Sequence, residues 1–394
     1  MTTAPRGSTR AVTTAAVAAA LTLVAGCSGG TGDDDPIRIA HIGDYSGDWS
    51  FYDVPIRDGL QMAVEEINAN GGVLDRDIEL ITADTGGDQA EAVRGVEEAL
   101  DDGAVYITGT TASGPWGAQA SVACGEGVPI STGDGTSPTL VPSAGDCAYH
   151  LLMLDTVQAG ATAQYAVDEL GYESAYVLGS SDDAYTEGLA AYFADAFTEN
   201  GGQVVAEEEF RIGASDFNVQ VTNIAALDPA PDVIFTSMFT PDTPQFLRQL
   251  RGAGVDIPVI SGDGSVDSSV LEAGDAAEGL VATYHAWPSE ENQVAEFLET
   301  FEDPNPSSSP QNIVTAVGYD EAYLVAQAIE AAGEADPEAI AEELDNIEFS
   351  GVTGSLQMDP ETHQADKAVT LIEVTDGQYE FIETLLPDYV PSAG

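Results

Sequence analysis

The stretch Ile37-Arg38-Ile39-Ala40-His41-Ile42-Gly43 decides how the rest of the chain is interpreted. Its run of β-branched residues, stopped by a glycine, predicts a buried strand. A helix is expected to follow, entered at Pro55, because proline is tolerated in the first turn of a helix. One apolar face runs along this helix, formed by Ile56, Leu60, Val64 and Ile67. Residues 78–83 then predict a second strand, so the chain opens with a β-α-β unit.

Strand and helix alternate through most of the remaining chain. Further strands are predicted at residues 105–109, 128–131, 175–178, 203–210, 233–237, 259–261, 368–374 and 379–382. Further helices are predicted at residues 88–100, 115–124, 157–170, 186–200, 217–227, 243–253, 312–332 and 337–344. This order is typical of the α/β class, with parallel central sheets covered by helices on both faces. A chain of 394 residues exceeds what one hydrophobic core organises, which favours two lobes.

The second series of helices and strands begins after Asp155, so we predict two Rossmann-like lobes joined by three hinge crossovers. Lobe one comprises residues 37–154 and 285–350, and lobe two comprises residues 155–284 and 351–394. A chain that passes between two such lobes three times leaves a cleft at the crossovers. Ligands of open α/β sheets bind beyond the carboxyl ends of the strands, so this cleft is the expected binding site.

The amino terminus has the three-part layout of an export signal. Two arginines precede an apolar run at residues 11–25, which is too short to span a bilayer. The run ends in Leu23-Val24-Ala25-Gly26-Cys27, which resembles the bacterial lipoprotein box. We therefore predict a signal peptide at residues 1–26, a lipid on Cys27 and an acylated tether at residues 27–36. The protein would then be anchored to the outer face of the cytoplasmic membrane. An ordinary secretory signal with a coincidental cysteine is the alternative.

Acidic residues dominate the charge: the chain has 68 Asp and Glu against 10 Lys and Arg, for a formal net charge of −58, and Lys367 is the only lysine. The acids are scattered through well-patterned segments, which indicates a solvated acidic surface on a folded protein. Such a surface suits a salt-adapted bacterium, because concentrated salt screens self-repulsion. The composition argues against a nucleic-acid partner, since phosphate neutralisation needs clustered Lys and Arg.

Stability is expected to depend on salt. In concentrated salt the screening length falls to about 3 Å, so repulsion among acidic side chains no longer loosens the fold. The unfolding midpoint, measured by thermal denaturation with circular dichroism, should rise between dilute and multimolar sodium chloride. A midpoint that does not move would contradict this expectation.

The other two cysteines offer a disulfide. With Cys27 assigned to lipid modification, Cys124 and Cys147 remain, in a compartment where disulfides persist. A bridge between them would stabilise the fold by about 3 kcal/mol in the chain-entropy model. Two free buried thiols are the alternative.

The usual motifs of phosphate binding, dinucleotide binding and serine hydrolysis are missing where they would be needed. The lone lysine is in no P-loop, no Gly-x-Gly-x-x-Gly opens a helix after the first strand, and no Gly-x-Ser-x-Gly elbow joins a strand to a helix. The histidines lack metal-ligand spacing and are expected to be structural or exposed: His41, His150, His285 and His363. We therefore predict no cofactor, no metal and no enzyme activity. An exported hydrolase, which needs a nucleophile beside a base, is a remote alternative.

Several segments match one known family. The most specific is Ile67-Asn68-Ala69-Asn70-Gly71-Gly72-Val73, where a helix ends. Others follow in the family's order, among them Ile39-Ala40-His41-Ile42-Gly43, Gly127-Val128-Pro129-Ile130-Ser131 and Ala184-Tyr185-Thr186-Glu187-Gly188. The chain resembles the type I periplasmic binding proteins, specifically the leucine/isoleucine/valine-binding group of ABC-transporter receptors. The resemblance implies a monomeric receptor that closes around a free amino acid, branched-chain or similar, and delivers it to a membrane permease.

The resemblance also implies which residues of lobe one form the site. Ser113 and Thr136 fall where the family holds the ligand carboxylate, and Ser113 precedes a predicted helix, whose amino terminus can bind an anion. Asp134 lies where the family usually has a small residue. A second acid there would admit a more polar or cationic ligand, or it would point to water. The wall around the ligand side chain matches Tyr52, Trp49 and Trp116.

On lobe two, Asp263 matches the acid that pairs with the ligand ammonium, and Tyr185 matches a family tyrosine. Phe239 falls where the family often has another tyrosine, and it cannot donate the hydrogen bond that a tyrosine would. The same fold also serves receptors for amides, urea or aromatic acids, in which Asp263 would meet a neutral N–H group. That function is the principal alternative.

Overall fold

The structure, a computed structural model, describes residues 35–289, 292–301 and 309–393. The predicted signal peptide, Cys27 and most of the predicted tether therefore lie outside the described residues. No helix within the described residues is long and apolar enough to cross a membrane.

Strands and helices alternate along most of the described chain. The strands are β1 (Ile37–Gly43), β2 (Ile78–Asp84), β3 (Ala104–Thr108), β4 (Ile130–Ser131), β5 (Ala148–Tyr149), β6 (Ser174–Gly179), β7 (Gln203–Glu209), β8 (Val233–Thr236), β9 (Val259–Ser261), β10 (Val281–Tyr284), β11 (Glu348–Gly351), β12 (Gly354–Asp359), β13 (Gln364–Lys367), β14 (Val369–Thr375) and β15 (Gln378–Leu385). The helices are α1 (Ser50–Ala69), α2 (Gln89–Asp101), α3 (Ser113–Gly125), α4 (Leu140–Ala144), α5 (Asp155–Gln164), α6 (Ala184–Glu199), α7 (Asn218–Ala225), α8 (Asp242–Gly252), α9 (Ser268–Leu271), α10 (Val294–Leu298), α11 (Gln311–Ala332) and α12 (Pro337–Leu344).

The first sheet has the order β2-β1-β3-β4-β5, and all of its strands are parallel. Its interior strand β1 is buried on both faces. Ile39 packs in a cluster with apolar residues of α1 and α11, whereas Ala40 and Ile42 pack in a second cluster with residues of α2 and α3. Helices therefore cover both faces of the sheet, as the run of apolar residues in β1 predicts.

Helix α1 begins at Ser50, earlier than the start predicted at Pro55, so that prediction is wrong by more than a turn. Pro55 lies inside the helix. The residues before it do not face the apolar core of the lobe: Tyr52 faces the cavity described below, and the side chain of Asp53 accepts hydrogen bonds from neighbouring loops. The first turns of α1 therefore lack the apolar periodicity on which the prediction depended.

Helices α1 and α11 approach closely because glycines face the partner backbone. A Cβ atom on Gly59 would lie 2.0 Å from the carbonyl oxygen of Thr315, and a Cβ atom on Gly318 would lie 2.2 Å from that of Ile56. Only glycine leaves room for this contact. The contact holds α11 against the first lobe, although in the sequence α11 comes after strands β6 to β10 of the second sheet.

The second sheet has the order β15-β14-β10-β9-β8-β6-β7. Strands β7, β6, β8, β9 and β10 are parallel, while β14 runs antiparallel to β10 and β15 antiparallel to β14. The fold is thus α/β with two sheets dominated by parallel strands, as predicted. The antiparallel edge forms because β14 and β15 are the two strands of a hairpin that joins the sheet from the end of the chain.

A third, antiparallel sheet of β11, β12 and β13 was not predicted. Leu356 and Met358 of β12 and Ala365 of β13 lie in the same hydrophobic cluster as Ile37 and Ile39 of β1. The small sheet therefore packs against the first lobe, and the chain enters the second sheet for the last time between β13 and β14.

Cys124 and Cys147 form a disulfide, as predicted, with their Cα atoms 5.3 Å apart. The bridge joins the last turn of α3 to the segment just before β5. Because α3 begins at Ser113, in the predicted binding region, the bridge fixes the far end of a helix whose amino terminus faces the site.

Candidate functional site

A cavity lies where the carboxyl ends of strands from the two sheets meet. Strands β1, β3 and β4 lead into its wall on one side, and β6, β8 and β9 lead into its wall on the other. The cavity is narrow in this arrangement of the lobes, with a volume of about 20 Å³. Its lining residues are Trp49, Tyr52, Thr111, Ser113, Asp134, Gly135, Thr136, Ser137, Asp183, Tyr185, Phe239, Asp263 and Gly264. This is the position expected for the ligand of an open α/β fold.

Hydroxyl groups and a helix amino terminus form the wall contributed by lobe one. Helix α3 begins at Ser113, and no side chain caps its first turn. The first N–H groups of a helix have no partner inside the helix, and they carry a partial positive charge. Thr111 and Thr136 line the cavity beside them, although the Thr111 hydroxyl donates its proton to Asp53. This wall therefore suits an anion such as a carboxylate, without an arginine or lysine.

A buried carboxylate holds this wall in place. The side chain of Asp53 accepts hydrogen bonds from the backbone N–H groups of Asp44 and Thr111 and from the hydroxyls of Thr110 and Thr111. Burial raises the pKa of Asp53 to about 6, although these hydrogen bonds act in the opposite direction. Asp53 thus ties α1 to the loop that follows β3, and it orients Thr111 toward the cavity.

The wall contributed by lobe two contains Asp263, whose residue is 7% exposed. The Tyr185 hydroxyl donates to Asp263 Oδ1 at 2.9 Å, and the backbone N–H of Asp263 donates to Gln158 Oε1 at 3.1 Å. Burial raises the pKa of Asp263 above its usual range, while the charge of His285 and the hydrogen bonds act in the opposite direction. A buried, ionised carboxylate in this position would gain from a cationic partner.

Asp183 is a second carboxylate on the same side. It caps helix α6, accepting from the backbone N–H of Tyr185 at 2.9 Å, and it lines the cavity together with Ser113 of the opposite lobe. Burial raises its pKa. Since it accepts from the first turn of α6, Asp183 fixes the start of the helix that carries Tyr185.

Aromatic side chains from both lobes meet across the cavity. The ring of Trp49 contacts Phe239 edge-on, with centroids 5.2 Å apart, and Phe239 stacks on Tyr185 at 4.7 Å. The centroids of Trp49 and Tyr52 are 6.0 Å apart. Because Trp49 and Phe239 lie on different lobes, this contact defines a closed cleft.

Asp134 lies on the loop after β4, and its side chain is 1% exposed. His285, which directly follows β10, places Nε2 2.9 Å from Asp134 Oδ1, and the histidine side chain is equally buried. The sequence left open whether Asp134 faces the ligand or bulk water. The side chain is removed from bulk water, and the residue lines the cavity.

The structure brings together most of the residues that the sequence singled out: Trp49, Tyr52, Ser113, Asp134, Thr136, Tyr185, Phe239 and Asp263 all line the cavity. Trp116 does not, so its prediction as a wall residue is corrected. It is fully buried in the core of lobe one, and its Nε1 donates to the carbonyl oxygen of Ser131 at 2.6 Å. Trp116 lies one turn into α3 and faces the sheet, whereas Ser113 at the helix start faces the cavity.

Sequence reasoning missed several contributors: Thr111, Ser137, Asp183, Asp53 and His285. The position of Asp183 just before a predicted helix is a capping signal that could have drawn attention to it. The others carry no local pattern, because tertiary packing alone places them. Within the described residues there is also no group of side chains with the arrangement of a metal site.

Two α/β lobes that meet at a cavity, with a helix amino terminus on one wall and buried carboxylates from both lobes, define a class of two-lobed binding protein. A family model described as periplasmic binding protein matches residues 36–378. The chain therefore belongs to the periplasmic binding protein family, and it has the type I fold.

Relatives and solved structures agree with this placement. The leucine-, isoleucine-, valine-, threonine-, and alanine-binding protein of Pseudomonas aeruginosa is 27% identical over 326 residues, covering 82% of this chain and 86% of that protein. The leucine binding protein LivK of Thermotoga maritima MSB8 is 29% identical with a TM-score of 0.78, covering 89% of this chain and 99% of the other. LivJ of Streptococcus pneumoniae, solved with isoleucine, is 24% identical with a TM-score of 0.79, covering 90% of this chain and 100% of the other. At this identity, the likeness shows the fold alone.

Proposed function

We propose that this chain is the extracytoplasmic substrate-binding receptor of an ABC importer, and that it captures a free amino acid by closure of its two lobes. The observation that carries the proposal is the composition of the two cavity walls. The amino terminus of α3, with Ser113 and Thr136, suits the ligand carboxylate, and Asp263 suits the ligand ammonium. The relatives named as amino-acid-binding proteins support the same class of ligand.

Closure explains how such a site works in concentrated salt. Long-range attraction between an acidic surface and a cationic group is screened outside the protein. Inside the closed cavity, Asp263 is removed from water, so its hydrogen-bonded contact with an ammonium group is shielded from salt. The Trp49–Phe239 contact would form as the lobes close.

The remaining parts of the proposal concern the whole chain. Lobe one would comprise residues 37–154 and 285–367, the second boundary being moved from 350 because of the packing of β12 and β13, and lobe two residues 155–284 and 368–394. A lipid on Cys27 would anchor the protein to the outer face of the membrane. A membrane permease would accept the amino acid from a monomeric receptor, and no chemical step would occur.

Isothermal titration calorimetry with a ligand panel tests this function. The mature chain, first unfolded and refolded to remove any bound ligand, is titrated with leucine, threonine and lysine, and in parallel with acetamide, urea and benzoate. The expected result is binding of at least one amino acid and no binding of acetamide, urea or benzoate. Binding confined to the second group would establish the alternative receptor function, and turnover of any compound would establish a hydrolase.

Affinity is expected to fall as the solution becomes acidic. The ammonium group needs the ionised form of Asp263, and burial raises the pKa of this carboxyl above its usual range. Binding is therefore complete above the raised pKa and is lost as the pH decreases through it, earlier than for an exposed aspartate. Titrations from neutral to mildly acidic pH measure this. An affinity that increases on acidification would exclude an ionised Asp263 as the ammonium partner.

A further inference from the structure

In addition to Asp183, two buried carboxylates line the cavity, one from each lobe. Asp134 belongs to lobe one and Asp263 to lobe two, and the residues are 4% and 7% exposed. No lysine or arginine lines the cavity within the described residues. The proposed function pairs the ligand ammonium, which has three N–H donors, with Asp263. Asp134, which belongs to the other lobe, is then available to another part of the ligand.

The contact with His285 leaves an oxygen of Asp134 without a hydrogen bond. Nε2 of His285 lies 2.9 Å from Asp134 Oδ1, but this oxygen has no hydrogen-bond partner in the described part of the chain, and neither has the buried Nδ1 of the histidine. Asp134 Oδ1 is therefore a buried acceptor that a donor of the ligand could satisfy. Among the described residues, Asp134 has no other hydrogen-bond or ion-pair partner.

A third polar group in this region also lacks a partner. Tyr52 is 8% exposed and lines the cavity, and its hydroxyl has no hydrogen-bond partner among the described residues. Burial, followed by the charges of Asp263 and Asp134, raises the pKa of Tyr52, so both carboxylates lie close enough to act on the hydroxyl. A buried hydroxyl without a partner costs free energy unless a ligand supplies one.

We infer that the amino acid captured here carries a positively charged side chain, with Asp134 as its counter-charge and the Tyr52 hydroxyl as a hydrogen-bond acceptor. This inference rests on the proposed function and names the class of substrate. An aliphatic side chain in this cavity would leave a buried carboxylate and a buried hydroxyl without partners, which opposes its binding. The ring of Trp49 adds a face on which a cation is favoured.

The test compares leucine with lysine and ornithine by isothermal titration calorimetry on the full mature chain. The unmodified protein should bind one of the two cationic amino acids about tenfold or more tightly than leucine. In Asp134→Asn the ratio of the affinity for the cationic amino acid to the affinity for leucine should fall to about one. In Tyr52→Phe the same ratio should decrease. Asp275→Asn, at an exposed position, is the matched control and should leave the ratio unchanged.

The outcomes separate the inference from the proposed function. If leucine binds as tightly as the cationic amino acids, or if Asp134→Asn weakens all of them equally, the inference is overturned while amino-acid capture stands. If no amino acid binds, the proposed function itself fails. Circular dichroism checks that each variant is folded. Should Asp134→Asn not fold, the ratio in the unmodified protein and in Tyr52→Phe decides the question.

Discussion

Asp263→Asn weakens amino-acid binding by about tenfold or more. The substitution keeps the size of the side chain but removes the charge that faces the ligand ammonium in a cavity removed from water. Truncating one partner of a buried charge pair commonly costs about 2–5 kcal/mol, because the other charge is left buried and unpaired. The Tyr185 hydroxyl, which donates to Asp263 Oδ1, would keep an oxygen acceptor in the variant.

Calorimetry at neutral pH measures this effect, using whichever amino acid binds most tightly to the unmodified protein. Asp275→Asn makes the same chemical change at an exposed position outside the cavity, so its affinity should match that of the unmodified protein. An unchanged affinity in Asp263→Asn would remove this residue from the ligand site.

Asp53→Ala lowers the free energy of unfolding by about 3 kcal/mol or more. The change leaves four buried donors without their acceptor: two backbone N–H groups, those of Asp44 and Thr111, and the hydroxyls of Thr110 and Thr111. Each buried donor that loses its partner costs about 1–3 kcal/mol, and relaxation of the loops recovers part of the sum. Binding should weaken as well, because Asp53 orients Thr111 in the cavity wall.

Urea denaturation followed by circular dichroism gives the change in stability. Asp58→Ala is the matched control: it lies on the same helix, its side chain is 55% exposed, and it pairs with Arg57 at the surface. Such a pair contributes about 0–1 kcal/mol. Equal losses in the two variants would mean that the hydrogen bonds of Asp53 do not hold the loops together.

The order and type of the main elements could be predicted because elements with a buried face carry apolar residues at a regular spacing. Strand β9 at Val259–Ser261 and helix α12 at Pro337–Leu344 have the bounds that the sequence predicts. The strands of the small third sheet could not be found in this way. Strand β11, for example, is Glu348-Phe349-Ser350-Gly351, with no residue fully buried, so its pairing depends on a neighbour that the local sequence does not reveal.

The residues of the cavity were predictable to the extent that they follow strand ends. Asp263 comes directly after β9 and a glycine, and a family resemblance gave its expected role. Trp116 shows where this approach fails, because the distance along the chain from Ser113 does not reveal which side of α3 faces the sheet. Asp53 and His285 could not be identified at all, since their partners lie on segments that only the folded chain brings near.

Closure of the two lobes around an amino acid is the central step of the proposed capture. Small-angle X-ray scattering of the refolded, ligand-free chain, with and without the amino acid that binds most tightly, tests it directly. We predict that the radius of gyration decreases on addition of the ligand. At the same ligand concentration, the decrease should be smaller for Asp263→Asn. A radius of gyration that stays the same while calorimetry reports a saturated site would contradict closure as the means of capture.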